Sequence, residues 1–118
     1  MQAIPLGRVT VATPGQQVLF SSLLSAAQLA LLPPSGLVAK IEVWPDPSAT
    51  GKVYVKCTPS GTPGPATGVV ISALPVPSGG YPIPWCTGGD GSNQFAYSQY
   101  GLDVATGGDG AYVTLWVK

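Results

Sequence analysis

A chain of 118 residues builds one domain around one core. Charged residues make up 8% of it, against about 25% in ordinary soluble domains. Five acids cancel five bases, which excludes the field that would draw in nucleic acid or an anionic membrane; the lack of histidine removes the usual general base at neutral pH and the commonest metal ligand.

The mean hydropathy of +0.30 is high for a chain that faces water alone. Free-standing surfaces carry about 25–35% charged residues and a net charge away from zero. A surface this neutral is apolar, rich in Ser, Thr and Gly, or covered by another protein. The composition predicts a subunit of an assembly; a small secreted domain with a neutral surface is the alternative. The first residues do not have the order of a secretion signal, because Gln2, Pro5 and Gly7 interrupt them and Arg8 follows the first apolar residues. No apolar run approaches the roughly 20 residues that span a bilayer. Cys57 and Cys86 are too few for a disulfide framework. Two reduced, buried thiols are expected, with a single bridge between them as the alternative.

Residues 1–7 read as an extended, mildly apolar arm in which Pro5 interrupts any ladder. The main domain then runs from 8 to 118. Such an arm is expected to be mobile in the free protein and to order on a neighbour through Ile4 and Leu6. Arg8 to Ala12 alternates, with Val9 and Val11 inward. Thr13-Pro14-Gly15-Gln16 carries the type II turn signature, Pro second and Gly third. Gln17 to Phe20 reads as a strand. Ser21 to Leu32 is the one helix candidate, with Ser22 as its cap and Pro33 and Pro34 as its end; an apolar loop over one end of the core competes with it.

The stretch Val38 to Cys57 predicts a β-hairpin. Ala39, Ile41 and Val43 alternate with Lys40, Glu42 and Trp44, and Val53, Val55 and Cys57 alternate with Lys52, Tyr54 and Lys56. The charged set can reach water, so the aliphatic set faces the core. A one-residue slip would bury three lysines and a glutamate, so the faces are well specified. Pro45, Pro47 and Gly51 mark the segment between as a loop.

Residues 58–68, dense in Pro and Gly, form a long surface loop. Val69 to Leu74 is an apolar strand. Pro82 and Pro84 mark Tyr81 to Thr87 as an edge strand. Short strands follow at Asn93 to Tyr97, Leu102 to Ala105 and Ala111 to Lys118. In the last, Ala111, Val113, Leu115 and Val117 point inward, opposite Tyr112, Thr114, Trp116 and Lys118. The prediction is an all-β fold: an antiparallel β-sandwich or jelly-roll-like barrel of about eight short strands, with at most one short helix.

Thr87-Gly-Gly-Asp-Gly91 recurs as Thr106-Gly-Gly-Asp-Gly110. Each copy offers one carboxylate and neither has the ladder of a calcium loop, so both read as turns with Asp in local hydrogen bonds rather than as metal sites. The carboxylates Glu42, Asp46, Asp90, Asp103 and Asp109 lie at loops, strand ends or the exposed hairpin face, and neither cysteine has a histidine partner. Catalysis is therefore not expected. Trp44 and Tyr54 on the outer face of the hairpin, with Tyr112 and Trp116 on the outer face of the last strand, are the candidate interface residues. Outward aromatics covered by loops, or stacked on sugars, are the competing readings.

In the order of its features the chain resembles small β-sandwich structural proteins of tailed-bacteriophage virions, including capsid decoration or cement proteins. The resemblance rests on Ile4-Pro-Leu-Gly-Arg-Val-Thr-Val-Ala-Thr-Pro-Gly15, on the Val38 to Lys56 segment with its Gly51-Lys-Val-Tyr-Val55, and on Gly107-Gly-Asp-Gly-Ala-Tyr-Val-Thr-Leu-Trp-Val-Lys118. These cover most of the chain as patterns of strands and turns; the long 58–68 loop departs from them. The resemblance implies a non-enzymatic virion protein without cofactor or metal, made in the host cytoplasm. Its implied partners are the major capsid protein, other virion proteins and copies of itself as a homo-oligomer, with no nucleic acid and no membrane. A tail, neck or fibre-base component and a carbohydrate-binding module are the alternatives.

Overall fold

The computed structural model describes residues 1–87 and 92–118. It is an all-β sandwich. Among the described residues ten strands form two four-stranded antiparallel sheets and one two-stranded patch. The first sheet has the order β1 (Gln2–Thr10), β10 (Gly110–Val117), β4 (Lys40–Pro45), β7 (Trp85–Cys86). The second has the order β2 (Val18–Leu19), β9 (Tyr100–Val104), β5 (Val53–Cys57), β6 (Val69–Leu74). Strands β3 (Leu37–Val38) and β8 (Phe95–Ala96) pair apart from both. Each strand of the first sheet is joined by one connection to the strand that holds the same place in the second: β1 to β2, β10 to β9, β4 to β5, β7 to β6.

The inward aliphatic side chains make one core. Ile41 and Val43 from β4, Val53 and Val55 from β5, Leu102 and Val104 from β9, and Val113 and Leu115 from β10 are all buried in it. Alternation therefore assigned the faces of β4, β5 and β10 as they stand. The pairing of β4 with β5 is different from the predicted hairpin. β4 pairs with β10 and β7, whereas β5 pairs with β6 and β9 in the other sheet. The segment between them is an arch that crosses the core edge. Hairpin and arch both send the same side chains inward, so alternation does not distinguish them.

The predicted arm is also overturned. Residues 2–10 are the edge strand of the first sheet, paired with β10 from Gln2 opposite Val117 to Thr10 opposite Gly110. Ile4 is 1% exposed and belongs to the core. The register shifts between Pro5 and Gly7, where Leu6 is the extra residue and Gly7 takes φ +75°. That is a β-bulge with glycine in the left-handed region. It resets the alternation, so Ile4 and Val9, five apart, both point inward. Pro5 is tolerated because β1 is an edge and one side of it needs no ladder donor.

The turn at Thr13–Gln16 forms as predicted: Gln16 N donates to Thr13 O at 3.0 Å and Gly15 has φ +86°. The helix is shorter than the predicted run. A 3-10 turn (Phe20–Leu23) precedes α1 (Ala26–Leu31), and the cap is Ser25 rather than Ser22. Ser25 and Gln28 form a reciprocal capping box, with Gln28 N donating to Ser25 Oγ and Ser25 N donating to Gln28 Oε1. Gln28 Nε2 also donates to Pro5 O at 2.7 Å, which ties the helix to the free edge of β1.

The 58–68 loop is held by Gln17, which is buried. Its side-chain amide donates to Gly64 O and Thr67 O, and its own N–H donates to Pro65 O. A loop without regular structure thereby obtains partners for its carbonyls from the start of β2.

Candidate functional site

The outward residues of the central strands form the first surface. On β10, Tyr112 lies opposite Trp44 of β4 and Arg8 of β1, and Trp116 lies opposite Lys40 and Ala3. Trp44 is 40% exposed and Tyr112 is 46% exposed. Directly opposed residues on one face of a sheet have Cβ atoms about 5 Å apart, so Trp44 and Tyr112 form a cross-strand aromatic step on the outer face of the first sheet. Trp116 is half-buried, with Lys40 Nζ 5.7 Å from its ring centroid, a distance at which a cation is drawn to the π face.

Tyr54 does not join them. It is half-buried on β5, on the outer face of the second sheet, opposite Ala73 and Asp103. The arch places Trp44 and Tyr54 on opposite sides of the molecule, although the predicted hairpin placed them side by side. Ile4 is in the core and offers nothing to a partner; Leu6 is half-buried at the bulge and packs on the core. Of the six predicted interface residues, Trp44 and Tyr112 are the pair that the fold brings together at the surface.

Among the described residues three ion pairs take up six of the charged side chains. Arg8 Nε bonds Asp46 Oδ2 at 2.5 Å, Lys40 pairs with Glu42 at 3.3 Å, and Lys56 pairs with Asp103 at 3.4 Å. Asp46 also accepts from the backbone N–H and the hydroxyl of Ser48. The Ser48 N–H first, then Arg8, hold its carboxyl down at about 2. Asp109, in the second Thr-Gly-Gly-Asp-Gly segment, is a turn residue with a distant task. Its carboxylate accepts from the N–H groups of Thr50 and Gly51 and so fastens the arch between β4 and β5. The hydrogen bonding is long-range, not local as the motif suggested. The first copy of the motif falls largely at 88–91, outside the described residues. Among the described residues no group of three acidic, Cys or His side chains is placed to hold a metal, and no cavity opens.

The cysteines are free. Cys57 is partly buried beside Tyr100, and burial pushes both the thiol and the phenol up. Cys86 is exposed, against the expectation of two buried thiols. It lies on β7, the edge strand of the first sheet, opposite Glu42 of β4.

A second surface was missed from the sequence. Val69, Val70 and Ile71 of β6 are exposed, and so are Val76, Tyr81 and Ile83 in the connection to β7. The sequence reads Val69–Leu74 as an apolar strand without giving its place in a sheet. It is the edge of the second sheet. The signal available in the sequence was the charge map: from Cys57 to Leu102 the chain carries a single charged residue, Asp90. The exposed apolar residues lie on β6 and on its connection to β7, the two strands that hold the same end place in the two sheets.

Comparisons with protein-family models, with curated proteins and with solved structures return no match.

Proposed function

We propose that this chain is a non-enzymatic structural protein of a tailed-bacteriophage virion, a decoration or cement protein that binds assembled major capsid subunits and also binds itself. The observation that carries the reading is the distribution of the exposed apolar groups. They lie on two separate surfaces of a nearly uncharged body: the Trp44–Tyr112 step on one sheet face and the Val69–Ile83 side. A protein with two such surfaces can bridge neighbours. Many modest contacts across subunit boundaries then act multivalently, and binding only the assembled shell stabilises it by mass action. The resemblance in strand and turn order points the same way.

Co-sedimentation with assembled phage capsids, compared with unassembled capsid subunits, is the test. The chain should pellet with capsids and ignore free subunits. Trp44→Ala and Tyr112→Ala should each weaken capsid binding by on the order of 2 kcal/mol, the usual scale for a central aromatic anchor. Equal binding of shells and free subunits, or of neither, would sink the decoration reading.

The Trp44–Tyr112 step also favours a second reading, a carbohydrate-binding module that stacks sugars on those rings. Retention on a polysaccharide column, abolished by the same two substitutions, would select it.

A further inference from the structure

The side of the sandwich formed by β6 and the 75–84 connection is built unlike the other sheet edges. β2 and β7 are two residues long and offer little ladder. β1 is long, but it carries Pro5, a bulge at Leu6 and Gly7, the Arg8–Asp46 ion pair and the Gln28 amide on its Pro5 carbonyl. Proline, bulges and charge are the devices by which sheet edges avoid pairing with other chains. β6 has six residues, no proline and no charge. It does have a register shift: Ser72 pairs with Val55 and Val70 with Lys56, so Ile71 is extra. That bulge turns no charge outward; it leaves Val70 and Ile71 exposed in succession.

We propose that a second copy of this chain occupies the edge, with β6 of each copy antiparallel to the other across a two-fold axis. The two second sheets then join into one sheet of eight strands, in the order β2-β9-β5-β6 followed by its reverse. The inference rests on the reading above for self-association and not for the shell.

Three observations select a second copy over another strand. An antiparallel pairing of a strand with itself is self-complementary, as a two-fold interface must be. The chemistry also matches, since residues beside the two-fold axis meet their own copies and a charge there would meet a like charge. Val69, Val70, Ile71, Val76, Tyr81 and Ile83 bring only apolar and aromatic groups. The area is sufficient as well. Six strand residues extend ~20 Å, and the two packed layers with their side chains span about 25 Å, so each copy covers about 500 Å². The total of about 1,000 Å² reaches the lower limit of specific interfaces. An interface of that size is weak, which suits a component that gathers on a scaffold and is not a permanent dimer.

Sedimentation velocity of the full chain over a range from about 1 to 300 µM tests this. The unmodified chain should pass from monomer to dimer within the range. Ile71→Lys should raise the dissociation constant by at least tenfold with the thermal midpoint unchanged, because Ile71 is exposed. Trp44→Ala should leave the dimer intact while weakening capsid binding, which separates failure of this interface from failure of the capsid reading. A monomer at every concentration overturns the proposal, as does a trimer or a dimer indifferent to Ile71→Lys. If Ile71→Lys unfolds the chain, amide exchange of the unmodified protein decides. Protection of the β6 amides must rise with concentration, and protection that does not rise refutes the pairing.

Discussion

The two long edge strands, β1 and β6, set one half of this molecule against the other. Both end a sheet and both contain a bulge. In β1 the bulge resets the alternation so that Ile4 and Val9 both reach the core, and the exposed positions are Gln2, Ala3, Pro5, Gly7, Arg8 and Thr10. In β6 the bulge leaves apolar side chains outside. One edge is finished by its own chain, through Gln28 and the Arg8–Asp46 pair. The other carries no such finish from its own chain. Apolar content alone does not say which edge is which; the partner of each main-chain edge does.

Replacing one isoleucine in each strand breaks the comparison most sharply. Ile4→Ala should cost about 2–5 kcal/mol, because it opens a cavity in a fully packed core. Ile71→Ala should change monomer stability by less than ~0.5 kcal/mol, as for an exposed position. Chemical denaturation of both variants at a concentration where the chain is monomeric gives the two values. Equal losses would mean that β1 is an appendage or that β6 is covered within the monomer. By the same argument deletion of residues 1–6 should abolish cooperative unfolding, since it removes half of a paired strand and Ile4 with it.

Acid sharpens the comparison next. The carboxyl of Asp46 is held at about 2, below its ordinary 3.8, so the folded state favours its ionised form. A depressed carboxyl contributes stability that is whole above about pH 4 and is lost as the pH falls towards about 2. Thermal midpoints measured from pH 5 to pH 2 should therefore fall for the unmodified chain. Asp46→Asn should start lower and fall less over that interval, because the Arg8 and Ser48 contacts no longer depend on a proton. Substitutions in β6 should leave the slope alone. An unchanged slope in Asp46→Asn would show that the pair does not fasten β1 to the arch.

The smallest effect tests the tie between α1 and the β1 edge. Gln28→Ala removes both the return bond of the capping box and the donor to Pro5 O. The expected loss is about 1 kcal/mol, the scale of one or two exposed hydrogen bonds. Faster amide exchange should appear in α1 and in residues near Pro5 and not in β6. Faster exchange confined to α1 would mean that the Gln28–Pro5 contact does not protect the edge.

Much of the fold is legible in the residues. The inward sets of β4, β5 and β10 follow from alternation, because side-chain direction along a strand is a property of the local backbone. The turn at Thr13–Gln16 and the stop of the helix before Pro33 are equally local, fixed by what Pro and Gly allow. The outward placement of Trp44 and Tyr112 comes from the same rule. The choice of partner is a different matter. Whether β4 turns back on β5 or arches to the other sheet depends on strands up to some seventy residues away, and both answers satisfy the same pattern. Only the assembled sheets separate Tyr54 from Trp44, join Tyr112 to Trp44, and send Asp109 to the amides of Thr50 and Gly51. Only they place Val69–Leu74 at the edge of its sheet. The sequence by itself determined which way side chains face, since neighbours along the chain decide it. The tertiary structure decided what each strand lies beside, since non-local packing and main-chain pairing settle that together.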